Sequence, residues 1–72
     1  MNKKSYYVFK LYMGQLDGYL QIQNTHHEFT QNLNNATLLT LKQAQKIVFT
    51  ANKEFKKNNS YYYRYGMELM PA

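Results

Sequence analysis

Seventy-two residues carry a formal charge of +5 and no cysteine. A chain of this length supports one domain and buries about 60–65% of the surface its unfolded form exposes, which argues against a deep enzyme-style cleft. Without cysteine there is neither a disulfide to staple the fold nor a thiolate to hold zinc, so the domain must rest on packing or on a partner.

Nine basic residues against four acidic ones favour encounter with acidic partners such as nucleic acid or an acidic protein face. Polar and charged residues interrupt every apolar run well short of a signal core, and of the roughly 18 residues a membrane helix needs. That predicts a cytoplasmic protein with no membrane partner. Asn, Lys and Tyr, eight of each, are what AT-rich codons encode, as in low-GC bacteria and their phages.

Residues 5–13, "SYYVFKLYM", alternate, with Tyr7, Phe9, Leu11 and Met13 on one side and Tyr6, Val8, Lys10 and Tyr12 on the other. The more apolar odd set predicts the inner face of a first strand. Residues 18–23, "GYLQIQ", read as a second strand with Leu20 and Ile22 inward. The intervening "GQLDG" supplies two glycines and an Asp-Gly for an antiparallel hairpin. Residues 24–39 are long for a structureless connection and carry Phe29, Leu33, Ala36, Leu38 and Leu39. They are expected to cross the edge of the core, with one helical turn near Leu33 to Ala36.

A helix should begin after Thr40, which with Gln43 forms a capping box satisfying two free N–H groups of the first turn. Leu41, Ala44, Ile47, Val48, Ala51 and Phe55 then recur at helical spacing. Lys56 and Lys57 suit the negative end of the helix dipole, and Asn58-Asn59 a left-handed cap. "SYYYRYGMEL" follows as a strand whose odd members, Tyr61, Tyr63, Tyr65, Met67 and Leu69, face the helix. Parity places it beside the first strand. The expectation is an α+β domain of ββαβ order, a three-stranded antiparallel sheet (2-1-3) with one helix on one face.

One helix covers one face. The other is then expected to present Tyr6, Lys10, Tyr12, Tyr19, Tyr62 and Arg64, with Val8 and Gln21 among them. Tyr and Arg are enriched at the centres of interfaces, and rings beside cations on an open sheet also stack unpaired bases. A basic ridge is the second candidate surface: Lys42, Lys46, Lys53, Lys56 and Lys57 share one arc of the helix, with Phe49 among them. Like charges four apart destabilise a helix by about 0.2–0.5 kcal/mol each, so stability alone would not select Lys42 with Lys46 or Lys53 with Lys57.

His26, His27 and Glu28 form the one metal-like cluster, but neighbouring histidines of an extended chain point apart and no third strong ligand accompanies them. Asp17, Glu28, Glu54 and Glu68 are scattered over different elements, and there is no glycine-rich phosphate loop. The chain is read as a non-enzyme without cofactor or metal.

Along "LNNATLLTLKQAQKI" the layout resembles small phage and prophage proteins of low-GC Gram-positive bacteria, in which a hairpin leads to an alanine, a hydrophobic residue and a capping Ser/Thr before an alanine-centred helix. Here those positions are Ala36, Leu39, Thr40 and Ala44. The resemblance implies a mobile-element protein acting on host machinery, and anti-CRISPR and other anti-defence inhibitors are similar in size and lack of catalytic motifs. The positive charge departs from their common acidic, DNA-mimicking style. The leading expectation is therefore an inhibitor or adaptor of a host protein or ribonucleoprotein. A direct binder of single-stranded nucleic acid or DNA is the alternative, and a homodimer that hides the open sheet face is a third possibility.

Overall fold

The computed structural model describes residues 4–71. Strands β1 (Tyr6–Tyr12), β2 (Gln15–Gln23) and β3 (His26–Thr30) precede a 3-10 turn at Leu33–Asn35, helix α1 (Leu41–Lys57) and strand β4 (Tyr63–Leu69). They form a four-stranded antiparallel sheet in the order β3-β2-β1-β4. The expected three-stranded 2-1-3 sheet is thus corrected by one strand: residues 26–30, expected in a connection, extend the sheet beyond β2. Asn24, at φ 57, and Thr25 make the tight turn that folds β3 back, closing on the Gln23–His26 pair. Asn tolerates this left-handed backbone better than most residues.

The first hairpin also turns elsewhere than expected. Tyr12 pairs with Gln15, so Met13 (φ 51) and Gly14 (φ 81) form a two-residue turn with both angles positive, the geometry matching strand twist. Asp17-Gly18, expected at the turn, instead lies where the register between β1 and β2 shifts, beside Lys10. The bulge lets Asp17 Oδ2 reach Lys10 Nζ at 3.1 Å.

Beyond the Phe9–Tyr19 pair, residues 37–39 enter between β1 and β2. Thr37 N–H donates to Leu20 O at 3.0 Å, and Thr37 Oγ1 accepts from Ile22 N–H at 2.7 Å. Leu39 exchanges two bonds with Tyr6, at 2.8 and 2.9 Å. Backbone groups of two strands are thereby satisfied by a connection, and Leu39 is carried into the core.

Helix α1 begins at the capping box, with Thr40 and Gln43 each accepting from the other's backbone N–H. It ends where Asn59 turns left-handed (φ 58), Asn59 N–H donating to Lys56 O and Ser60 N–H to Phe55 O. The helix lies over β4 and β1. Val8, Leu20 and Leu39 are buried against its Ala44, flanked by Tyr6, Ile22, Phe29, Ile47, Val48, Tyr65 and Met67.

This core reverses the face expected of β1. Val8 pairs with Met67 and is fully buried on the helix side, so Tyr6, Lys10 and Tyr12 share that side while Tyr7, Phe9 and Leu11 point outward. The neighbouring strands decide it. Leu20 and Ile22 of β2 and Tyr65 and Met67 of β4 commit their apolar sides to the helix, and β1 follows through its pairing. On the outer face Phe9 lies over Gly66, where a Cβ would come within 2.7 Å of the ring's Cε2. Tyr7 packs edge-on to Tyr19, centroids 5.7 Å apart, and donates to Glu68 at 3.1 Å.

Burial first, then the Glu68 carboxylate, raises the Tyr7 hydroxyl above its usual pKa of 10.0, and burial does the same to Tyr65. Both favour the neutral phenol in the folded state. Their contribution to stability is therefore complete below about pH 10 and is lost as pH climbs through the raised values. Urea midpoints should stay level on approach to pH 10 as far as these two groups are concerned, then decline above it, with Tyr7→Phe weakening the decline. A midpoint with the same alkaline dependence in Tyr7→Phe would mean that Tyr7 ionisation does not contribute to the decline.

Candidate functional site

The helix register carries Lys42, Lys46, Phe49, Lys53, Lys56 and Lys57 to the exposed side, as the sequence spacing implies. Among the described residues the close contacts between basic and acidic side chains are Lys10–Asp17 and His26–Glu28, so no carboxylate lies within 4.0 Å of a ridge lysine's amine. Phe49 keeps 72% of its surface exposed, an unusual position for a ring with no packing role.

Between α1 and the free edge of β4 run two adjoining hollows, about 750 and 350 Å³, which meet at Asn52 and Lys56. The larger is walled by Gln45, Val48, Phe49, Lys53 and Met67. The smaller is walled by Phe55, Ser60, Tyr61, Tyr63 and Arg64. Cations and rings line this groove and no carboxylate does. Arg64 borders it as the strand neighbour of Tyr63, since its register with Leu11 assigns it to the outer face.

Asn52 fixes the groove's shape. Its Nδ2 donates to Tyr65 O at 3.1 Å and its Oδ1 accepts from Tyr65 N–H at 2.8 Å, so one side chain occupies both outward backbone groups of Tyr65 in the edge strand. A row of rings supports the groove from below: Tyr62–Tyr12–Tyr63–Phe55–Tyr65–Phe29, with successive centroids 5.0–6.3 Å apart. Lys10 lies at the inner end of the row, its Nζ 4.2 Å from the Phe29 centroid and 5.4 Å from that of Tyr63. Its side chain is only 21% exposed. Tyr62, 61% exposed, ends the row in solvent just before β4, and Tyr61 beside it is 73% exposed.

The six residues expected on one open sheet face are therefore divided. Tyr6, Lys10 and Tyr12 belong to the helix side, Tyr19 and Arg64 to the outer face, and Tyr62 to the turn before β4. The ridge residues remain together. Tyr63, expected as core, is 38% exposed and walls the groove, and Tyr61 joins it there. Their adjacency to Asn58-Asn59, which end the helix, was the available signal that they lie at a rim.

His26 Nε2 sits 3.3 Å from Glu28 Oε1 on one side of β3, while His27 faces the other flank of the helix near Lys46, Thr50 and Tyr65. Among the described residues no three His, Cys, Asp or Glu side chains group as metal ligands. Within the same residues no helix is long and apolar enough to cross a membrane. No family model, curated protein or solved structure matches the chain.

Proposed function

We propose that the chain binds single-stranded nucleic acid along the groove between α1 and β4. The observation that carries this reading is one groove with Lys53 and Lys56 on its wall, Phe49, Tyr61 and Tyr63 exposed along it, and no carboxylate. Lysines neutralise phosphates and release counterions, while rings stack on bases of any identity. The remaining ridge lysines, Lys42, Lys46 and Lys57, extend the positive field beyond the groove. An inhibitor of a host protein acting through one tyrosine face has less support, because those tyrosines are divided between the two faces and the turn before β4.

The test is fluorescence anisotropy with labelled DNA and RNA strands of about 15 nucleotides, within the range of known single-strand sites. Affinity should fall steeply between about 50 and 200 mM salt, and Lys53→Ala with Lys56→Ala should flatten the log–log slope by about 1.4. Phe49→Ala should cost about 1–3 kcal/mol of binding while leaving the fold intact. No binding at the lowest salt, or a slope unmoved by the double substitution, overturns the proposal.

A further inference from the structure

Among the described residues no element covers the outer face of the sheet, opposite α1. Its centre is apolar and aromatic: Tyr7, Phe9 and Leu11 along β1, with Leu16 and Tyr19 of β2 beside them. Leu16 is 49% exposed. β4 contributes Arg64, Gly66 and Glu68, paired respectively with Leu11, Phe9 and Tyr7.

This pattern is complementary to itself. Arg64 and Glu68 are four positions apart on one strand, about 13 Å, too far to pair with each other. Arg64 has no carboxylate partner among the described residues. A two-fold axis lying across the strands, along the Tyr19–Phe9–Gly66 row, carries Arg64 of one copy onto Glu68 of the other, and the reverse. The same operation sets Leu11 over Tyr7 and brings the two Phe9 rings together on the axis. Glu28, the other carboxylate of this face, is carried past the end of β3 to neutral Gln31 and Asn32, so no like charges meet. Stacked sheets lie about 10 Å apart, a gap that an opposed Arg and Glu can span.

We infer that a second copy of this chain packs on the outer face, forming a two-fold dimer with Phe9 at its centre and two Arg64–Glu68 pairs at its rim. An interface of this kind is isologous: each contact occurs twice. Both helices remain outside, so the dimer leaves the α1–β4 groove open, and Arg64 borders both surfaces.

Sedimentation velocity of the whole chain tests this, using Arg64→Glu, Glu68→Arg, the double exchange, and an equimolar mixture of the two single variants. The wild-type chain should dimerise, and each single variant, which faces like charges across the axis, should raise the dimer dissociation constant about tenfold or more. The double exchange should restore self-association. The mixture should dimerise where neither component does, because each chain then offers the charge the other lacks, a rescue open only to folded chains. A wild-type chain that stays monomeric, a dimer unmoved by the single variants, or a mixture without rescue overturns the inference.

Discussion

Val8→Asp is expected to leave the chain unfolded at neutral pH, whereas Phe9→Ser, one position along, keeps it folded. Val8 is fully buried among Leu20, Leu39 and Ala44, and among the described residues no polar or charged side chain is buried with them. An unpaired buried charge costs several kcal/mol, comparable with the roughly 3–5 kcal/mol that a single core supplies to so small a domain. Phe9 is the larger side chain but is only partly buried, on the face away from the helix. Its loss should cost about 1–2 kcal/mol. Far-UV circular dichroism and amide proton dispersion separate the two outcomes. A folded Val8→Asp beside an unfolded Phe9→Ser would return β1 to the face its own alternation suggests.

Asn52→Ala is expected to destabilise the domain by about 1–3 kcal/mol, although the residue lies on a helix face half open to solvent. Both hydrogen bonds to Tyr65 are lost, and the backbone N–H and C=O of an edge strand are left without partners beneath the helix. Asn52→Asp should recover only part of the loss, since a carboxylate can accept from Tyr65 N–H but repels Tyr65 O. The urea midpoint should fall with the slope unchanged. A shift under about 0.5 kcal/mol would mean that water replaces the amide without cost. Opening this edge should also make the variant prone to strand-to-strand association, visible as light scattering on concentration.

The elements best read from sequence are those whose signals are local. Thr40 and Gln43 set the helix start, and Asn59 supplies the left-handed residue at its end, because both act through backbone groups within a few residues. β4 keeps its expected side, Tyr65 and Met67 toward the helix, because they face Ile47 and Val48 in a common core. β3 was concealed by composition: of its five residues only Phe29 is apolar, and the best clue was Asn24 at a two-residue turn. The face of β1 was set from outside the strand, by Met67 and Leu20, and by Gly66 making room for Phe9.

The candidate site divides in the same way. The lysine ridge follows from helical spacing alone. The groove does not, because it exists only where α1 runs beside the edge of β4, and Asn52 reads in sequence as one more polar residue of the helix. Lys10 was placed with the exposed cations, yet Asp17 and the faces of Phe29 and Tyr63 shelter its amine on the helix side.

The placement of β1 has a kinetic consequence. It is the first strand of the described residues but lies inside the sheet, bonded along one side to β4 and bridged at Tyr6 to Leu39. The Tyr7–Glu68 bond closes a separation of 61 residues, nearly the span of the described residues. Chain entropy must be given up before such contacts reward it, which raises contact order and slows the search for the native state. The β1–β2–β3 meander is local and can assemble early, but β1 keeps an unpaired edge until the last strand arrives. A chain growing from its N-terminus therefore passes through its most adhesive form immediately before β4 emerges.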